Sequence, residues 1–137
     1  MSPVWRCTKC GRKFAKTNQA HSCAVFPLAK HFRNKPLAQA LFLHLKGRIK
    51  NTIGPVKIES LPCCIHFVSS YTFGAVWAMK NGIRMDFRLA RSIKSKLFWK
   101  TVHMSPHRHL YYVEVRDKKE IDSELLGWLK ESYHLHG

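Results

Sequence analysis

The stretch Gly82-Ile83-Arg84-Met85-Asp86-Phe87-Arg88-Leu89-Ala90 alternates without a break. Ile83, Met85, Phe87 and Leu89 fall on one side of an extended chain, and Arg84, Asp86 and Arg88 on the other. Successive side chains of a β-strand point to opposite faces, so this segment predicts a strand with one apolar and one charged face. Asn81-Gly82 before it is a strong hairpin signal, and Thr72 to Met79 supplies the partner strand.

Working outward, Val56 to Ser60 is a short strand, and Cys64 to Ser69 carries Ile65, Phe67 and Val68. Phe98 to Met104 and Leu110 to Arg116 read as a last pair, joined by the loop Ser105-Pro106-His107-Arg108-His109. Helices flank this β-rich centre. The first starts near Pro36, since proline suits a first helical turn where its missing N–H is not needed. It runs through Leu37, Ala40, Leu41, His44, Leu45, Arg48 and Ile49, and Gly54-Pro55 closes it. The last is predicted to start from an N-cap at Asp117, with Glu120 three residues on and an apolar stripe of Ile121, Leu125, Trp128 and Leu129. The predicted order is a helix, about five strands and a second helix: an α+β fold (α-β5-α) with an antiparallel sheet and helices on one face. Residues 36–137 form that domain, 25–35 a linker or short helical turn, and 1–24 a separate head.

The head predicts a zinc knuckle. Cys7, Cys10, His21 and Cys23 follow the pattern Cys-x2-Cys-x10-His-x-Cys. Zinc takes four thiolate or imidazole ligands at tetrahedral corners, and a Cys-x-x-Cys turn supplies two from one loop. Gly11 follows the second cysteine, where the chain must curl so that its amides face the sulfurs. A polar segment this short needs such a staple to fold. His31 is a substitute ligand. With four protein ligands the single Zn2+ is structural, and no coordination position stays open for catalysis. Cys63 and Cys64 read as small buried side chains at a strand start.

The chain has 137 residues, 45% of them apolar, enough for one core. It contains no apolar run long enough to span a membrane and no apolar stretch of the kind a secretory signal requires. Five cysteines, an odd number with one close pair, suit metal binding in a reducing cytoplasm better than a disulfide framework. The net charge is +16, and residues 1–58 carry 12 basic side chains and no acidic one. Such an excess repels itself and is relieved by a polyanionic partner.

The segments Trp5-Arg6-Cys7-x-x-Cys10-Gly11-Arg12-x-Phe14 and Asn18-Gln19-x-His21-Ser22-Cys23 resemble a bacterial family of small proteins known only as domain of unknown function 5655. His31-Phe32, Lys35-Pro36, Gly54-Pro55-Val56, Thr72-Phe73 and Leu125-Leu126-x-Trp128-Leu129 extend the likeness over nearly the whole chain. The resemblance implies a zinc-binding head on an α+β body, with no established activity. Two features depart from the family pattern: Leu61-Pro62-Cys63-Cys64 replaces a polar stretch, and Tyr111 stands where a histidine is common.

Three basic clusters predict nucleic-acid binding. They are Arg6, Lys9, Arg12, Lys13 and Lys16 on the head; Lys30, Arg33, Lys35, Lys46, Arg48 and Lys50 around the first helix; and Arg88, Arg91, Lys94, Lys96 and Lys100. Phe98 and Trp99 adjoin the third cluster and suit stacking on unpaired bases. No sequence-reading module is recognisable, so phosphate-led binding is expected, with structured RNA or a ribonucleoprotein favoured over DNA on basicity and small size. One alternative is a metal-independent ribonuclease using His103, His107 and His109 as base and acid. Another is a protein-interaction module docking through the zinc knuckle.

Overall fold

The chain is seen in a computed structural model, which describes residues 5–8, 13–14 and 26–135. Among the described residues, two short strands, β1 (Trp5–Arg6) and β2 (Lys13–Phe14), pair antiparallel with Trp5 opposite Phe14. A single helical turn, α1 (Leu28–His31), and a long helix, α2 (Pro36–Thr52), follow. The strands β3 (Lys57–Ser60), β4 (Ile65–Val68), β5 (Thr72–Met79), β6 (Gly82–Leu89), β7 (Phe98–Ser105) and β8 (Arg108–Val115) then form one antiparallel sheet in the order β3-β4-β5-β6-β8-β7. A 3-10 turn (Lys118–Glu120) leads to the last helix, α3 (Ser123–Tyr133). The α+β class holds; each of the six segments read as strands forms one, so the count of about five is corrected to six. No helix of the described residues is long and apolar enough to cross a membrane.

Strand pairing sorts the side chains into two faces. Phe67, Val76, Ile83, Met85, Phe87, Leu89, Tyr111, Val113 and Val115 form one core with α2 and α3. Helix α2 buries Ala38, Leu41, Phe42, Leu45 and Ile49, a helical spacing. This stripe is rotated from the expected one, because Leu37 is 41% exposed and Phe42 takes the inner position. The Phe42 ring stacks on Phe67 at 5.7 Å and meets Phe32 at 5.2 Å, a larger apolar area than the aliphatic residues it displaces. Helix α3 buries Leu125, Leu126, Trp128 and Leu129. Its N-cap is Asp122, whose Oδ1 accepts from the Leu125 amide at 2.9 Å. Asp117 instead caps the 3-10 turn, accepting from the Lys119 amide at 2.8 Å, and Glu120 turns back to the Arg116 amide at 2.8 Å. The expected helix start is thereby corrected: the cap nearest the buried stripe wins.

Two details fix how the sheet ends. The β5–β6 hairpin turns on Lys80-Asn81, and Gly82 begins the strand opposite Met79. There a Cβ would collide with the Val115 carbonyl oxygen and φ is +153°, so both close approach and backbone conformation require glycine. At the opposite end the buried Ser132 hydroxyl donates to the Phe73 carbonyl at 2.6 Å and accepts from the Arg88 amide at 3.1 Å. These backbone groups follow the last β5–β6 pair, Gly74 with Phe87, so α3 completes the ladder. The loop expected between β7 and β8 shrinks to the two residues Pro106 and His107, with Arg108 and His109 drawn into β8.

Candidate functional site

The face of the sheet turned away from α2 and α3 carries the alternate residues of each strand. On β6 these are Arg84, Asp86 and Arg88, on the side away from Met85 and Phe87. Register places Trp77 opposite Arg84, Ala75 and Tyr112 opposite Asp86, and Lys100 opposite Tyr112. This face is partly open: Arg88, Trp99 and Lys100 are exposed, and Trp77, Arg84, Asp86 and Tyr112 are half-buried.

A bulge decides its composition. Phe98 pairs with Val113 and Lys100 with Tyr112, so two residues of β7 advance the register by only one. Strict alternation would put Trp99 opposite in direction to Lys100; the extra residue lets both reach the open face. Trp99, 46% exposed, packs its ring 5.4 Å from Tyr112, and Tyr112 lies 6.0 Å from Trp77. The Arg84 guanidinium sits 4.6 Å over the Trp99 ring and Lys100 Nζ 5.4 Å from Tyr112. Trp77, Met79, Arg84, Trp99 and Tyr112 line a depression of about 220 Å³. The expected stacking pair separates here. Phe98 turns inward, 4.6 Å from Tyr111 and 5.1 Å from Trp128, and belongs to the core.

The electrostatics of this face are uneven. Arg84 is tied to Glu114 at 2.9 Å, and Glu114 also takes Arg116 at 3.2 Å. Arg88 and Lys100 make no ion pair among the described residues. Asp86 accepts from the Ala75 amide through Oδ1 at 3.0 Å and has no ion-pair partner among the described residues. Burial pushes its carboxyl up to about 6, against the pull of the Ala75 N–H and of Arg88. Burial likewise lowers His66 and raises Tyr112. The Cys64 thiol is pushed up to about 12 by burial and by Cys63, whose sulfur lies 3.1 Å away. Cys64 is buried as expected, but Cys63 is exposed.

The predicted basic residues do not form one surface. Arg88 and Lys100, with Trp99, share the open face. Lys46, Arg48 and Lys50 lie on α2, which packs against the opposite face. Lys35 precedes α2 and donates to the Ala78 carbonyl at 3.2 Å. Arg33 is exposed between the helices, beyond α1, where Lys30 sits. Arg91 is held by Glu131 through two bonds of 2.7 and 3.1 Å, so its charge is matched. Lys94 and Lys96 are exposed in the connection before β7, which Tyr111 anchors by accepting from the Ile93 amide and donating to the Arg91 carbonyl. The sequence alone gives neither Tyr112 nor Trp77 a place in a binding surface. Both were recoverable only from cross-strand register.

His103 and His109 face each other across β7 and β8 with rings stacked at 4.7 Å. His109 opposes Leu89, which places the pair on the helix side of the sheet. A general base and a general acid must flank a phosphate, and rings stacked on each other leave no space between them for one. His107 lies apart, in the exposed turn.

Of the four residues expected to hold zinc, Cys7 is buried, directly after β1, while Cys10, His21 and Cys23 lie outside the described residues, as do Lys9, Arg12 and Lys16. Arg6 is exposed on β1, and Lys13 begins β2. Strands β1 and β2 pair as an antiparallel ladder, and Cys7 follows β1 directly. His31 Nε2 is buried without a hydrogen-bond partner, a lone pair suited to a metal. No group of three metal-ligating side chains gathers among the described residues.

A family model described as a domain of unknown function (DUF5655) matches residues 28–136. No curated protein and no solved structure matches the chain.

Proposed function

Because the chain belongs to the DUF5655 family, whose description assigns no activity, we propose from its own surface that it binds single-stranded nucleic acid without catalysis, RNA in preference to DNA. The observation that carries this reading is the bulge at Trp99, which sets an exposed indole beside Tyr112, Trp77 and Arg84, with Lys100 and Arg88 on the same face. Bases present a π-face whatever their sequence, and each stacked base is worth about 1–3 kcal/mol. Arg84 and Arg88, four residues apart on one strand, span about 13 Å, a reach that follows a strand's phosphates. Unpaired RNA fits this shape better than the structured RNA that charge alone suggested, since stacking requires bases free of a helix. Basicity and small size are the grounds for RNA over DNA.

The reading includes one structural zinc on Cys7, Cys10, His21 and Cys23 in the head. The burial of Cys7, directly after β1, supports it. Zinc would supply folding energy there, and no chemistry on a substrate. Native mass spectrometry should find one zinc per chain, lost on Cys10→Ser; a metal-free, folded chain would refute this part.

The binding reading is tested by fluorescence anisotropy with labelled oligouridylate and oligothymidylate. Affinity should fall steeply with salt, by a log-log slope of about 0.7 per phosphate contacted on a single strand. Trp99→Ala should weaken binding about tenfold for either oligomer. Binding that ignores both salt and Trp99 would defeat the proposal.

A further inference from the structure

The open face holds two carboxylates beside the aromatic residues, and they are not equivalent. Glu114 is spent on Arg84 and Arg116. Asp86 makes no ion pair among the described residues, and its one hydrogen bond, from the Ala75 amide to Oδ1, fixes the carboxyl's orientation without exhausting it. Each carboxylate oxygen has two lone pairs, so both oxygens can still accept. Asp86 stands directly opposite Tyr112 in the β6–β8 register, about 5 Å away between Cα atoms. On its other side stands the small side chain of Ala75.

A lone carboxylate in the middle of a polyanion-binding face is a cost unless it meets a donor. Among the nucleobases, guanine presents two adjacent donors, N1–H and the N2 amino group, which match the two oxygens of a carboxylate. Uracil presents one donor between two carbonyls, and adenine and cytosine each pair a donor with an acceptor. An acceptor-only group therefore favours guanine and is repelled by the other edges. Resting on the reading of this face as a single-strand platform, we propose that Tyr112 and Asp86 form a guanine subsite: the base stacks against Tyr112, and its Watson–Crick edge donates to the Asp86 carboxylate. Lys100, now 5.4 Å from the Tyr112 ring, is placed to follow the adjoining phosphate. The subsite adds sequence preference at one position to a surface otherwise indifferent to sequence.

The test compares three octamers by anisotropy against the wild-type chain: all-uridine, the same with one central guanosine, and the same with inosine, which lacks the N2 amino group. The guanosine octamer should bind about tenfold more tightly than all-uridine, within the range of a bidentate base contact, and the inosine octamer should fall between them. Asp86→Asn, which keeps an oxygen for the Ala75 amide, should bring all three to the all-uridine affinity. Equal binding of the three octamers by the wild-type chain would overturn the guanine subsite and leave the platform standing. A guanosine preference that survives in Asp86→Asn would overturn the role of Asp86. Failure of every octamer to bind would remove the platform and the subsite together. The inosine comparison needs no variant, so the proposal does not depend on whether Asp86→Asn folds.

Discussion

The two faces of the six-stranded sheet are built from the same strands, residue by residue in alternation, yet they face opposite demands. On the helix side, Met85, Phe87, Leu89 and Tyr111 are fully buried, and Phe87 lies 5.5 Å from Trp128 and 5.9 Å from Tyr111. On the open side, Arg84, Asp86 and Arg88 of the same strand meet water, indole and phenol rings. Stability is concentrated on one side, which leaves the other free to carry polar and aromatic groups that contribute little to folding. Substitutions one position apart on β6 should therefore have unrelated consequences.

The largest effect expected is on the covered side. Phe87→Ala should cost about 3–5 kcal/mol through lost burial and the cavity left behind, read as a fall in the urea midpoint. A loss below about 1 kcal/mol would mean the helices do not press on this face. Next comes Asp86, half-buried on the open side. Its carboxyl ionises near 6 in the fold against an ordinary 3.8, so the folded chain holds a proton that the unfolded chain releases. Asp86 thus favours the fold fully below about pH 4, and this contribution is lost as pH rises through 6. Asp86→Asn cannot ionise, so its stability relative to the wild type should rise by about 2–3 kcal/mol between pH 4 and pH 7. A difference that stays constant across that range would show the carboxyl to be fully hydrated.

Smaller effects mark the open side. Trp99→Ala should change stability by about 0.5 kcal/mol or less, since the ring is exposed, while weakening nucleic-acid binding. Equal losses of stability and binding would erase the division between the faces. Arg91→Ala should be the mildest. Its pair with Glu131 is solvent-exposed, and water and salt screen such pairs, so the urea midpoint should hardly move. Because that charge is already matched, the variant should bind oligomers nearly as well as the wild type.

Which of these features can be read from the sequence follows from where their causes lie. The alternation of Gly82 to Leu89 is local, so β6 is legible, as are Pro36 at the start of α2 and the stripe of α3. The start of α3 was misplaced because Asp117 and Asp122 offer the same capping chemistry five residues apart. The site was less legible. Trp99 reaches the open face through a slip in pairing between β7 and β8, which no local pattern encodes. The raised carboxyl of Asp86 depends on enclosure by residues distant in sequence, a consequence of register and not of composition. Basic clusters were counted along the chain, whereas α2 and β6 carry theirs to opposite sides of one sheet. Cys10, His21 and Cys23 lie outside the described residues.

The irregularity of β7 has a second consequence, for how copies of this chain avoid one another. β7 is an edge strand eight residues long, paired on one side only, with the length to template another chain. Its bulges, near Trp99 and again between His103 and Ser105, interrupt the even row of amides and carbonyls that a second copy would need for docking. Deleting Trp99 outright, unlike truncating it to alanine, would even the register from Phe98 to His103 and leave only the bulge before Ser105 to interrupt the margin. The residue that gives the open face its indole therefore also helps keep the protein from assembling edge to edge.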